Sequence, residues 1–189
     1  MRNTDYKKED TVMIITLAQK GDTKALEELL RRIQKDVFSM FNYMTEKRED
    51  IADLTQEALL KTAKCISALK NPECFKSWLH HIITNTYFDY KRKHFSDIQP
   101  DFNEDKILEI KDKLGCEPGE KCLFSEMDKV IRLALLNLPD NMRIAIILRE
   151  FEGLSYEDIS KLTKTTIGTV KSRISRARIK LQNQLKEFI

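Results

Sequence analysis

The sequence predicts an all-α protein: two small helical domains joined by an acidic linker, the second carrying a helix-turn-helix. Three observations predict it. Only 5 Gly and 4 Pro occur in 189 residues otherwise rich in Leu, Ile, Lys and Glu, a composition that favours helix. Apolar residues recur at helical spacing through most of the chain, and strand-like alternation between turn residues is hard to find. Charge is unevenly placed. Residues 1–97 hold 17 basic and 15 acidic side chains, 98–120 hold 3 and 7, and 121–189 hold 13 and 8. An acidic strip thus separates two basic ends in a chain whose net charge is only +3. The expected boundaries are a first domain over 1–97, a linker over 98–122 and a second domain over 123–189. With 41% hydrophobic residues, each domain can build a core.

The first helix is expected over 6–20, ending at Gly21. Asp22 suits the N-cap of the second, because its carboxylate can accept from the exposed N–H groups of the first turn. That helix runs to about Met44, with Leu26, Leu29, Leu30, Ile33, Val37, Phe38 and Phe41 as its stripe. A third starts at Glu49 or Asp50 and faces inward through Ile51, Leu54, Ala58, Ala63 and Ile66, with Leu59 at the edge of that face. Asn71-Pro72 breaks it, since proline removes a donor and biases its predecessor away from helix. A fourth is expected from about Glu73 to Lys93, with Phe75, Trp78, Leu79, Ile82, Ile83 and Thr86 on its apolar side.

Periodicity fades from Ser96 to Glu120, where Pro100, Gly115, Pro118 and Gly119 lie among acidic residues; one short helix is expected near 106–113. Helical pattern returns over 123–136, pauses at Leu138-Pro139-Asp140, and resumes over 141–151. Ser155-Tyr156-Glu157-Asp158 resembles a capping box with Asp in place of Glu, opening a short helix over 156–162. Thr163-Lys164 is a tight turn. Thr165 or Thr166 caps the last helix, with Ile167, Val170, Ile174 and Leu181 on one face.

Several function classes fall away. The longest apolar run is far short of the roughly 18 residues that suggest a membrane span. Met1 to Asp10 is charged and lacks a signal-peptide core, so a cytoplasmic protein is expected. Cys65, Cys74, Cys116 and Cys122 form no CxxC pair, and the three histidines complete no zinc pattern; free thiols, no metal and no cofactor are expected. His80-His81 makes a poor metal pair, because neighbours on a helix point about 100° apart. The chain has no HExxH, no phosphate-binding glycine loop and no Gly-x-Ser-x-Gly elbow, so no catalytic residue is assigned and an enzyme is not expected.

The helix-turn-helix carries the functional signal. Residues 161–189 hold 8 basic side chains and 1 acidic one. With Ile167, Val170 and Ile174 facing inward, Lys171, Ser172, Ser175 and Arg176 fall on the opposite side, where Lys or Arg can donate to guanine and Ser is permissive. Gly168 removes bulk from the first turn, and the helix N-terminus itself favours phosphate oxygens. Arg178 and Lys180 are expected at the DNA backbone or on a solvated flank.

Leu138-Pro139, the run Leu148 to Ile159, Gly168-Thr169-Val170-Lys171-Ser172-Arg173 and Arg176-Ala177-Arg178 closely resemble the C-terminal domain of bacterial RNA polymerase sigma factors. The nearest group is the small, two-domain extracytoplasmic-function class. The N-terminal half agrees. Asp53-Leu54-Thr55-Gln56-Glu57 resembles the family's polymerase-binding helix. Phe75-Lys76-Ser77-Trp78-Leu79, followed by Ile82, Asn85, Asp89, Tyr90, Arg92 and Lys93, resembles its promoter-melting helix. The sequence departs from the family's pattern at His80-His81 and in the aromatic-rich run Asn85 to Asp89.

The resemblance implies a sigma factor that binds core RNA polymerase and directs promoter-specific initiation. Polymerase contacts fall to Asp53, Leu54, Gln56 and Glu57. The melted strand of the minus-ten element falls to His81, Asn85, Phe88, Asp89, Arg92 and Lys93, where an aromatic between polar and basic groups suits base stacking with phosphate neutralisation. The minus-thirty-five duplex falls to Thr165, Thr166, Thr169, Lys171, Ser172, Ser175, Arg176 and Arg178. The acidic linker resembles the segment that threads toward the polymerase's RNA exit path. Expected partners are core RNA polymerase, promoter DNA and a cognate anti-sigma factor, often membrane-bound in the family, with no small-molecule substrate. The alternative is a helix-turn-helix regulator that acts without entering polymerase; it leaves the 50–68 and 73–93 helices idle.

Overall fold

The computed structural model describes Tyr6, residues 9–94 and residues 126–186, all helix and turn with no strand among them. The expected linker, its short helix over 106–113, and Cys116 and Cys122 lie outside the described residues. The chain divides into two compact units: 1–42 with 47–94, and 43–46 with 95–189. Among the described residues, no helix is long and apolar enough to cross a membrane.

The first unit opens with α1 (Thr11–Gln19), which starts later than expected because Asp10 takes the N-cap and accepts from the Val12 N–H at 3.2 Å. Gly21, at φ 89°, turns the chain out of α1, and the Asp22 N–H returns to the Leu17 carbonyl at 3.1 Å. Asp22 then caps α2 (Thr23–Met44) as the sequence predicts, accepting from the N–H groups of Lys24 and Ala25 at 3.0 and 3.1 Å. Ala25, Leu29, Ile33, Val37, Met40 and Phe41 are buried along α2, a three- and four-residue spacing that keeps one stripe inward. Glu28 is clasped on that helix by Arg31 and Arg32, and Arg32 also donates to the carbonyls of Tyr6 and Glu9.

The third helix, α3 (Arg48–Cys65), carries Glu49 and Asp50 in its first turn, where negative charge suits the helix dipole. It buries Ile51, Leu54, Thr55, Ala58 and Thr62; the two threonine hydroxyls donate back to the Ile51 and Ala58 carbonyls, so burial leaves them satisfied. Two 3₁₀ turns, Ile66–Ala68 and Pro72–Cys74, follow around the predicted Asn71-Pro72 break, and the Asn71 side chain caps the second. The Gln19 amide donates to the Leu69 carbonyl at 2.5 Å, tying this link to the end of α1.

The fourth helix, α4 (Phe75–His94), packs on α3, and the Tyr90 hydroxyl donates to Asp50 at 2.5 Å across the pair. Its buried side is wider than the stripe suggests. Besides Phe75, Leu79, Ile83 and Thr86 it includes His80, Thr84, Tyr87 and Tyr90, while Trp78 and Ile82 are only half-buried.

In the second unit, α5 (Glu126–Leu136) leads through Leu138-Pro139 into α6 (Asp140–Ile146). Arg143 is 2% exposed and donates to the Leu136 and Leu138 carbonyls at 3.1 and 2.9 Å, satisfying groups that the end of α5 leaves open. The expected helix over 141–151 is not uniform. After Ile146 it widens into a π-helical segment, Ile147–Phe151, which Gly153 closes at φ 69°. An unbroken buried run, Arg143 to Leu148, occupies this stretch, more than one face of an α-helix provides.

Then come α7 (Tyr156–Thr163) and α8 (Ile167–Leu185), and α8 packs on α5, α6 and α7. The turn between α7 and α8 places Lys164 in the left-handed region at φ 51°. Ser160 braces it, its hydroxyl donating to the Thr165 carbonyl at 2.5 Å. The capping box at α7 is changed by its shorter acid: Ser155 Oγ accepts from the Asp158 N–H at 3.0 Å, and its hydroxyl donates to the Asp158 carboxylate at 2.7 Å.

Candidate nucleic-acid interface

Helix α8 exposes the side chains that the sequence assigns to base contacts. Val170, Ile174 and Ala177 are buried, and Lys171, Ser172, Ser175 and Arg176 are exposed on the other side. Ile167 departs from the expectation, being 38% exposed. Three residues turn an α-helix by roughly 300°, so Ile167 stands at the margin of the buried stripe, in the first turn. Thr166 is the cap: its Oγ1 accepts from the Thr169 N–H at 3.2 Å and shares a hydroxyl contact with Thr169 Oγ1 at 2.9 Å. Thr165, assigned to DNA in the sequence, is engaged in the turn, with Oγ1 2.9 Å from Thr163 Oγ1. A Cβ on Gly168 would meet only Thr166 Oγ1, at 3.8 Å, so the glycine marks an open patch and not a close approach to α7.

Two neighbours of the reading face were not legible in the sequence. Tyr156 has two cations against its ring, Arg149 at 4.7 Å and Lys171 at 5.7 Å from the centroid. Arg178, expected at the DNA backbone or on a solvated flank, is held by Glu150: Nε and Nη2 both donate to Oε1, at 3.1 and 2.6 Å. Nothing in linear spacing announces a pair so far apart. Ile179, 56% exposed, extends the exposed side of α8 beyond Ser175 and Arg176.

On α4, His81, Arg92 and Lys93 are exposed and Asn85, Phe88 and Asp89 are half-buried, so the predicted set shares one accessible side. His80 is 2% exposed and turns the other way. Asp89 is not a free carboxylate: Arg92 donates to its Oδ1, and the Lys61 ammonium lies 3.6 Å from Oδ2. The side chain of His94, and Phe95, fall outside the described residues.

On α3, Asp53 and Gln56 are exposed and Glu57 is half-buried. Leu54 is not beside them. It is 3% exposed, on the core side, so it can support the predicted polymerase-docking face only from beneath. Among the described residues, no group of three His, Cys, Asp or Glu side chains is placed to hold a metal ion. Cys65 and Cys74 are free and exposed.

Residues 29–95 match the model of sigma-70 region 2, and residues 128–181 match that of sigma-70 region 4. The ECF RNA polymerase sigma-E factor of Haemophilus influenzae is 33% identical over 181 residues, which span 93% of this chain and 95% of that protein. This chain belongs to the ECF sigma factors. The sigma-E factor of Escherichia coli K12 is 32% identical over 184 residues, covering 94% and 95% of the two chains. Among solved structures, the sigma factor RpoE, in complex with the anti-sigma factor NepR from Bartonella quintana, superposes with a TM-score of 0.65 at 26% identity, covering 87% of this chain and 98% of that one. CnrH, in complex with the cytosolic domain of CnrY, shares the fold at a TM-score of 0.63 and 20% identity, covering 94% and 97%.

As an ECF sigma factor the protein directs transcription initiation with RNA polymerase, and the free-standing regulator gives way to that reading. The region 2 match takes in α3 and α4, and the region 4 match takes in most of α5 through α8. Each candidate surface thus lies inside a matched region.

Proposed function

We propose that the two domains of this sigma factor read the promoter in two different states. The first, over 1–97, docks on core polymerase through Asp53, Gln56 and Glu57 and captures the melted minus-ten strand through His81, Asn85, Phe88, Arg92 and Lys93. The second, over 123–189, reads the minus-thirty-five element as duplex through Lys171, Ser172, Ser175 and Arg176. The 98–122 segment is the acidic linker between them. The chain carries no catalysis of its own, works in the cytoplasm, and has as partners core RNA polymerase, promoter DNA and a cognate anti-sigma factor. RpoE, which was solved with such a partner, supports the last of these.

The observation that carries the reading is the accessible side of α4. Tyr87 and Tyr90 are spent on the core, whereas Phe88 stays half-exposed with Asn85 before it and Arg92 after it. An aromatic flanked by an amide and a guanidinium can stack on an unpaired base, bond its edge and neutralise its phosphate. Docking through acidic and amide groups on α3 suits a basic partner surface. The test is the Asn85→Ala, Phe88→Ala double variant, assembled with core polymerase on promoter DNA. It is expected to form holoenzyme normally but to leave the minus-ten region unreactive to permanganate. Wild-type reactivity would remove α4 from strand capture.

A further inference from the structure

Lys61 belongs to neither set of site residues, yet its ammonium reaches both. It lies 2.8 Å from Glu57 Oε1 on the docking face, 3.1 Å from the hydroxyl of Thr86, and 3.6 Å from Asp89 Oδ2 on the strand-binding side. The ammonium thus pairs closely with Glu57 on its own helix, hydrogen-bonds Thr86 on the neighbour, and stands in a longer ion pair with Asp89. Thr86 is fully buried, which anchors the contact on α4. The other carboxylate oxygen of Asp89 takes the Arg92 guanidinium. Charges therefore alternate along a chain that starts on α3 and ends on α4: Glu57, Lys61, Asp89, Arg92.

We propose that Lys61 is a positioning residue that makes Arg92 available to the melted DNA strand by holding the carboxylate of Asp89. The proposal rests on the assignment of α4 to strand capture. To meet a phosphate, Arg92 must leave Asp89, and the carboxylate it leaves stands where a phosphate approaches. Lys61 supplies the replacement cation from the protein side. Without it, Asp89 either retains Arg92 or, once Arg92 leaves, turns an uncompensated charge on the strand. The contact is about one-third exposed at each end, so the effect is graded and weakens with salt.

The experiment measures anisotropy of a labelled single-stranded minus-ten oligonucleotide titrated with holoenzyme, made from core polymerase and the full chain, at two salt concentrations. Lys61→Met is expected to weaken strand binding about two- to fivefold at the lower salt, the scale of one exposed ion pair. Lys61→Gln, which keeps a donor for Thr86 and loses the charge, carries the same expectation and guards against a packing defect. Lys61→Arg restores binding. In an Asp89→Asn background, Lys61→Met changes nothing further, because no carboxylate remains to hold. A general loss of structure would not depend on Asp89 in this way. Equal losses in both backgrounds, or wild-type binding by Lys61→Met and Lys61→Gln, would overturn the proposal. Arg92→Ala separates the two levels: weakened binding there with no Lys61 effect defeats only the Lys61 role, and no effect of Arg92→Ala defeats it together with the assignment of α4.

Discussion

Arg178 on α8 directs two N–H groups at one carboxylate oxygen of Glu150, at 3.1 and 2.6 Å, so the middle of α8 is tied to the π-helical segment. The side chains are 54% and 45% exposed, and such a pair contributes roughly 1 kcal/mol or less. It also neutralises a cation on the face proposed to meet DNA. Glu150→Gln should free Arg178. The log–log salt dependence of holoenzyme binding to promoter duplex should then steepen by about 0.9, one additional phosphate contact. Titrations at four or more salt concentrations measure it, and an unchanged slope would mean that Arg178 never reaches the backbone.

Arg176 is expected to act in the opposite way, at the base edges. It stands in the open with Ser172 and Ser175, away from the buried Val170, Ile174 and Ala177. Arg176→Ala should cost about 1–3 kcal/mol on the preferred upstream element and relax preference at one or two base positions. Transcription from templates randomised across that element reads it. A uniform loss on all templates would place Arg176 at the phosphates.

Leu54 and its neighbours on α3 separate stability from docking. Leu54→Ala should destabilise the first unit by about 2–5 kcal/mol, as expected of a buried large-to-small change. Asp53→Ala with Gln56→Ala should stay within about 0.5 kcal/mol of wild-type stability and yet weaken core-polymerase binding. Urea unfolding and competition against a second sigma factor provide the two readouts. Unchanged competition would misplace the docking face.

The helices were legible in the sequence because their signals are local. Asp22 and Thr166 cap where their side chains can reach the next free N–H groups, and the α2 stripe repeats every three or four residues. Leu54 was legible in the same way: it lies within the run resembling the polymerase-binding helix, and its apolar spacing with Ile51 and Ala58 already marks it as core. What was not legible needs partners distant in sequence. Lys61 could have been noticed as the i+4 partner of Glu57, whereas its contact with Asp89 exists only once α3 and α4 pack. The π-helical segment answers to an unbroken apolar run that no single face can bury.

Glu28 gives the first unit an acid-sensitive joint. Its carboxylate accepts from Arg31 at 2.7 and 2.8 Å and from Arg32 at 2.9 Å, and these hydrogen bonds, Arg31's foremost, lower its pKa from 4.5 to about 2. A depressed carboxylate stabilises the fold above its unfolded pKa, and that contribution is lost as pH falls through the folded value. Glu28→Gln should therefore be less stable than wild type at neutral pH, with the gap closing between pH 4.5 and about 2. Urea midpoints across that range measure it; a gap independent of pH would assign the effect to packing.

The proposed division of labour places promoter specificity in the sigma factor inside polymerase, with α4 reading a melted strand and α8 a duplex. Its most direct test is in vitro transcription by core polymerase with this chain, on a library randomised across both promoter elements, beside duplex binding by the chain alone at near-physiological salt. The chain alone should barely separate promoter from scrambled DNA. Holoenzyme should initiate from a narrow set of templates, the Asn85→Ala, Phe88→Ala pair should change selection only at the minus-ten element, and Arg176→Ala should change it only at the minus-thirty-five element. Tight, sequence-specific binding by the chain alone, with no promoter-selective initiation when core polymerase is added, would contradict it.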